Sequence, residues 1–291
     1  MHYSKPLSLA SRVAIFAILV SLLGVGNLDA QGRRKNPTSK LYVADVKGTA
    51  QIDTGETIDD LTKRSVYTAQ GTILETKEES TNAIVLSNGT GLYFDPSTRM
   101  EVKKFVQEPF TPNRNDMEVE PSMSSTETYL SRGLVGICTS KLAAGSTMNF
   151  NTPHASIRIK GRKAVIEVSN EGTKVSLIEG DITIRGGTLD AGGQTLAQGQ
   201  QALIKPDGTI DIREIPANEL ISIGDKASMA CMARKTVYFD VKGNAEAAGE
   251  ENSTAFDEAA GAGDEIVAIE VTPTDISPEV TVSAASIPRS N

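Results

Sequence analysis

The sequence has no tryptophan, 4% aromatic residues, two histidines and two cysteines. Each scarcity excludes a kind of chemistry. His2 lies among the first residues, which leaves His154 as the one base for a histidine-dependent triad. A zinc site of histidines or clustered cysteines cannot be assembled. Few aromatic faces exist on which a sugar or a base would stack. Positive charge is also short. At a net charge of −8 the chain lacks the basic footprint of a nucleic-acid binder. No acidic cluster has the spacing of a calcium loop, and neither Gly186-Gly187 nor Gly192-Gly193 leads into a helical pattern that would cradle phosphate. No cofactor and no metal are expected. The 291 residues allow one or two domains with ample core.

Long apolar runs are absent except at the start. Residues 13–26 are almost wholly apolar, follow Lys5 and Arg12, and lead to Ala30 and Gln31. This is the layout of a secretory signal peptide over residues 1–30, with cleavage after Ala30. The run is short of the roughly 20 residues that span a bilayer. The mature chain is expected to be exported, periplasmic or extracellular, with no membrane span. A short linker, 31–40, follows.

Residues 31–235 carry balanced charge, whereas residues 236–291 hold eleven acidic residues against Lys242 and Arg289. Little in this tail can offset the entropy of ordering it, so 236–291 reads as an acidic low-complexity, largely disordered segment. Within it, Ile266-Val267-Ala268-Ile269 and Val280-Thr281-Val282 have the composition of short strands or docking motifs.

The balanced middle reads as short strands punctuated by turns. Ala83-Ile84-Val85-Leu86 passes through Asn88-Gly89 into Leu92-Tyr93-Phe94, a hairpin pattern in which both turn positions are expected at positive φ. Ala202-Leu203-Ile204 turns at Lys205-Pro206-Asp207-Gly208 into Ile210-Asp211-Ile212, with Gly208 placed for the left-handed position after a type I turn. Ile157 and Ile159 share one parity. After Gly161 the parity slips by one, to Ala164, Ile166 and Val168. A slip would turn the core face outward, so a bulge or bend is expected at Gly161-Arg162-Lys163. Further turns are expected at Asn170-Glu171-Gly172 and Glu179-Gly180-Asp181. The pattern predicts an all-β domain over 41–215, a short-strand sandwich, barrel or solenoid. Residues 106–127, with Pro109, Pro112 and Pro121, read as a long surface loop. Residues 216–235 are Ala- and Met-rich and read as a helix, weakened by Gly224.

In this order the pieces resemble the FecR-like domain family of the bacterial envelope. Gly48-Thr49-Ala50, residues 67–76, Asn82-Ala83-Ile84-Val85-Leu86 and Asn88-Gly89-Thr90-Gly91-Leu92 form the first half of the likeness. Residues 150–155, Ile157-Arg158-Ile159-Lys160-Gly161, residues 175–182 and Gly199-Gln200-Gln201-Ala202 form the second. The likeness spans about residues 41–213. This chain has Lys160-Gly161-Arg162 where the family usually has Arg-Gly-Thr. About a dozen residues precede the apolar run, so the cytoplasmic sigma-regulating segment of signalling members is not expected. The resemblance implies an extracytoplasmic all-β module that contacts other proteins and has no catalytic set.

Candidate functional residues are few. Cys138 and Cys231, in an exported chain, suggest one disulfide, with two buried thiols as the alternative. Arg158, Lys160, Arg162 and Lys163 form a candidate interaction patch; Arg158 and Lys160 equally suit an outward strand face. His154 reads as a structural histidine or as a pH-sensitive contact. Asn88-Gly89-Thr90 and Asn252-Ser253-Thr254 fit the glycosylation pattern at chance level. No catalytic residues stand out. The expected function is non-enzymatic binding to an envelope protein or surface polymer. Self-association through strand edges is an alternative. A hydrolase using carboxylates or a Ser-Lys pair is a more distant one.

Overall fold

The computed structural model describes residues 39–110, 118–187, 192–241 and 266–270. The expected signal peptide, most of the expected linker and most of the acidic tail fall outside these residues. The described chain is all-β with a single helix, α1 (Ala217–Thr236), following the β-domain.

Two strand layers enclose one apolar core. In spatial order the helix-side layer contains β4 (Val66–Thr68), β1 (Lys40–Lys47), β6 (Thr81–Leu86), β7 (Gly91–Phe94), the second half of β9 (Ser124–Cys138), β12 (Lys163–Ser169), β13 (Gly172–Glu179), β16 (Gln200–Ile204) and β17 (Ile210–Glu214). The open layer contains β3 (Ile58–Asp60), β2 (Ala50–Asp53), β5 (Ile73–Thr76), β8 (Arg99–Gln107), the first half of β9, β10 (Thr147–Asn151), β11 (Ala155–Ile159), β14 (Ile182–Gly186) and β15 (Gln194–Leu196). Neither layer closes into a barrel. Inward residues from both, among them Ile84, Phe94, Met100, Phe150, Ile157, Ile166 and Ile184, are fully buried together. Each such side chain contributes about 1.5–3 kcal/mol.

The strand β9 belongs to both layers and changes over at Gly133, whose φ is +88°. A Cβ there would come within 2.5 Å of the Thr98 Cα, so the crossing requires glycine. Around β9 the topology repeats. The path β1, β2, β5, β6–β7 hairpin, β8 is followed by the second half of β9, β10, β11, β12–β13 hairpin, β14, with matching antiparallel neighbours in both layers. The parity slip at Gly161 is explained by this path. There the chain leaves the open layer at Ile159 and enters the helix-side layer, with a register shift between Lys163 and Ala164. A change of layer reverses which parity faces the core.

Several sequence expectations are refined. The Asn88-Gly89 hairpin closes with Leu86 N–H bonded to the Thr90 carbonyl at 2.8 Å and Gly89 N–H to the Leu86 carbonyl at 2.9 Å. Of the turn pair only Gly89 is at positive φ, because the connection is a three-residue loop and not a two-residue one. Asn88 is buried and its side chain donates to Ser124 Oγ, so it is no accessible glycosylation acceptor. Gly208 has φ +85° and closes its turn on the Lys205 carbonyl.

The expected loop 106–127 is shorter than read. Val106 and Gln107 still belong to β8 and pair with Ser125 and Ser124 of β9. This strand start looked polar because its inward positions are Ser124, Thr126 and Thr128, whose small hydroxyl side chains are buried. Val119 bridges to Lys141, and buried Glu120 accepts from the Ala143 N–H at 2.9 Å. The helix 216–235 is present as expected, starting one residue later. Beyond it, β18 (Val237–Val241) pairs antiparallel with β19 (Ile266–Glu270), so this part of the tail is a two-stranded ribbon. No helix among the described residues is long and apolar enough to cross a membrane.

Candidate functional site: a cationic cleft between helix and sheet

The helix α1 follows Pro216, which cannot continue the β17 ladder and supplies the carbonyl that accepts from Glu219 and Leu220. Its buried residues Ile223, Ala227, Ala230 and Arg234 recur at helical spacing and form one stripe. Ala230 packs with Ala83, Val85 and Tyr93 on the outer face of β6 and β7, and Ile223 and Ala227 pack with Val165 of β12 and with Ile215. Small residues allow close approach. A Cβ on Gly91 would stand 2.1 Å from the Ala230 carbonyl oxygen, and one on Gly136 2.4 Å from that of Lys226. Lys226 also pairs with Asp95 and lies over the Tyr93 ring. The Cys138–Cys231 disulfide joins β9 to the helix, with Cα atoms 5.0 Å apart.

Beside the disulfide, the C-terminal half of the helix and the Gly161 crossing leave a cleft of about 510 Å³. One wall carries Arg162, Lys163 and Glu179, with Glu118. The other carries Met232, Arg234 and Lys235. Each cation on the first wall is matched. Arg162 Nη2 donates to Glu118 Oε2 at 2.6 Å and its Nη1 lies 3.6 Å from Glu179; Lys163 Nζ is 3.0 Å from Glu179. The hydrogen bond from Lys163, helped by Arg162, holds the Glu179 carboxyl below its ordinary value. Backbone pairing fixes this wall: Thr139 N–H bonds the Arg162 carbonyl at 2.8 Å, and Arg162 N–H bonds that of Glu179 at 2.8 Å.

Arg234 is different. Only 8% of it is exposed. Its Nη2 donates to Ser140 Oγ at 2.7 Å, and its Nε has no hydrogen-bond partner among the described residues. No carboxylate there lies within ion-pair distance of it. Burial pushes the guanidinium below its ordinary value and the nearby Arg162 charge adds to this, while Glu118 opposes it. A buried donor left unpaired costs about 1–3 kcal/mol. Lys235 stands exposed beside it, likewise without an ion-pair partner among the described residues. The lining therefore carries four cations against two carboxylates, and the unmatched charge lies on the helix wall.

The structure separates the four residues of the expected patch. Arg162 and Lys163 line the cleft. Arg158 lies on the outward face of β11 in the open layer, where its Nε reaches Asn149 Oδ1 at 3.5 Å. Lys160 is exposed at the end of that strand, its N–H bonded to the Asp181 carbonyl at 2.9 Å. His154 sits in the β10–β11 turn with Nδ1 3.0 Å from Thr173 Oγ1. That hydroxyl is 2.8 Å from Thr152 Oγ1, which accepts from the Ala155 N–H at 3.0 Å, so the histidine closes a turn cap.

Arg234, Lys235, Ser140 and Glu118 did not emerge from the sequence. A signal existed for Arg234. It continues the spacing of Ile223, Ala227 and Ala230, which places an arginine on the buried face of the helix.

No protein-family profile and no curated protein sequence matches the chain. Among solved structures, two crystal structures of a candidate anti-sigma factor from Parabacteroides distasonis ATCC 8503 are similar in part. Each has 14% identity and a TM-score of 0.38 over 52% of this chain. The aligned region spans 62% and 63% of those chains.

Proposed function

We propose that the chain is an exported, FecR-like envelope protein that works by non-covalent contact, with the cleft beside Arg234 as its contact site. The observation that carries this reading is Arg234 itself: a desolvated guanidinium, lacking a counter-ion among the described residues, is held by Ser140 at the wall of an open cleft. Such a group is costly alone and gains when a partner supplies the missing counter-charge. Two further features support it. The helix beside the cleft exposes Ile221 (75%) and Met232 (59%), an apolar surface of the kind that contact sites use. The disulfide suits an oxidising compartment outside the cytosol.

Self-association has its own observation, the exposed edge residues Ile58 on β3 and Val66 on β4. Both edge strands are three residues long, and β3 also carries exposed Asp59 and Asp60. Short charged edges resist pairing with another copy. Affinity capture from the native envelope tests the proposal, comparing wild type with a variant bearing Ile221→Glu and Met232→Glu. A partner retained by wild type and lost by the variant supports it. Equal retention by both, or a light-scattering mass that rises with concentration, contradicts it.

A further inference from the structure

We infer that the cleft is a carboxylate-binding site and that its ligand is an acidic peptide segment of a partner protein. This rests on the contact-site reading and adds the ligand chemistry. The recognition element is built in. Arg234 lines the cleft, is more than nine-tenths buried and is oriented by Ser140, while its unpartnered Nε is itself closed to solvent. Lys235 adds a mobile ammonium beside it, and the last turn of α1 suits both cations because the helix dipole is negative there. A guanidinium matches a carboxylate in shape and charge, so one carboxylate in the cleft would supply the counter-charge that Arg234 and Lys235 lack.

The remaining lining selects among anions. Glu118 and Glu179 stand on the opposite wall and repel a doubly charged phosphate more strongly than a single carboxylate. Met232 and the Cys138–Cys231 disulfide provide an apolar wall next to the cations. An aliphatic stem ending in a carboxylate, as in a glutamate side chain, fits this combination. Inorganic phosphate fits only its charge. Arg162 and Lys163 are already matched by carboxylates. They set the width of the cleft by bracing its far wall and are not the primary ligands.

The test uses the full mature chain and a fluorescein-labelled peptide rich in glutamate, followed by fluorescence anisotropy. The expected result is saturable binding that weakens about tenfold or more in Arg234→Gln, as for loss of a charge-assisted hydrogen bond. Because Arg234→Gln disturbs a buried position, Lys235→Gln provides an exposed second variant and is expected to weaken binding several-fold. Arg158→Gln on the open layer is expected to leave it unchanged. Absence of saturable binding, equal loss in Arg158→Gln, or displacement by inorganic phosphate as effective as by free glutamate would overturn the inference. If envelope capture yields a partner whose binding ignores Arg234→Gln and Lys235→Gln, the carboxylate site fails while the contact-module reading stands.

Discussion

Gly136 of β9 lies directly beneath Lys226 of the helix, so close that a Cβ on the glycine would stand 2.4 Å from the lysine carbonyl oxygen. At this point the helix rests directly on the backbone of the strand. Gly136→Ala must lift it, and overpacking of this kind costs about 1–3 kcal/mol. The midpoint of urea unfolding is expected to fall with an unchanged slope. Gly224→Ala is the matched control. A Cβ at Gly224 meets nothing within 4 Å, so that change is expected to stabilise by about 0.5–1 kcal/mol through helix propensity.

The disulfide fastens the same seat covalently across 93 positions of sequence. Denatured, unreduced protein is expected to show no titratable thiols. The double replacement of Cys138 and Cys231 by serine is expected to cost about 2–5 kcal/mol. It should also weaken peptide binding, since Cys231 lies on the helix between the seat and the cleft.

Acid is expected to destabilise the fold through carboxylates held low by cationic partners. The Glu75 carboxyl lies below its ordinary value because of its hydrogen bond from Lys77, then that from Arg99, with the Arg132 charge adding. Glu179 and Glu219 are lowered as well, Glu179 by its bond from Lys163 and Glu219 by its bond from Gln201. A group whose folded value is depressed stabilises above its unfolded value near 4.5 and loses that contribution as pH falls through the folded value. Urea midpoints are therefore expected to hold from pH 7 to about 5 and to drop below that. Glu75→Gln should reduce the drop by no more than about 1 kcal/mol, because solvent screens these pairs.

The Gly161 crossing meets the Gly180 crossing face to face. A Cβ on Gly180, whose φ is +109°, would stand 2.1 Å from the Gly161 Cα. Gly180→Ala is expected to destabilise by about 2 kcal/mol or more, combining strain and overlap. It should also shift the neighbouring Arg162 and Lys163, so peptide affinity is expected to fall with stability. Affinity measured well below the unfolding transition checks this.

Much of the β-domain was legible because its turns are local. Gly89, Gly208 and Gly172 mark their hairpins by residue type, and the parity change at Gly161 pointed to an irregularity at the right place. The layer change behind that irregularity was not legible, since parity reports a face and not which sheet bears it. The start of β9 was missed because Ser124, Thr126 and Thr128 bury hydroxyls where the pattern asks for apolar side chains. The site was legible by halves. Cys138, Cys231, Arg162 and Lys163 could be singled out by type, but Arg158 and Lys160 belong to the other layer. Arg234 required knowing which face of the helix is covered, and that depends on glycines in β7 and β9 far away in sequence.

The most direct test of the proposed contact site at the helix–sheet cleft is amide hydrogen exchange, read by mass spectrometry, on the protein alone and with the partner that affinity capture yields. Slowed exchange is expected over residues 138–141, 161–163 and 228–235. Protection confined to the open layer around residues 156–160 and 183–185, with the cleft segments unchanged, would contradict the account.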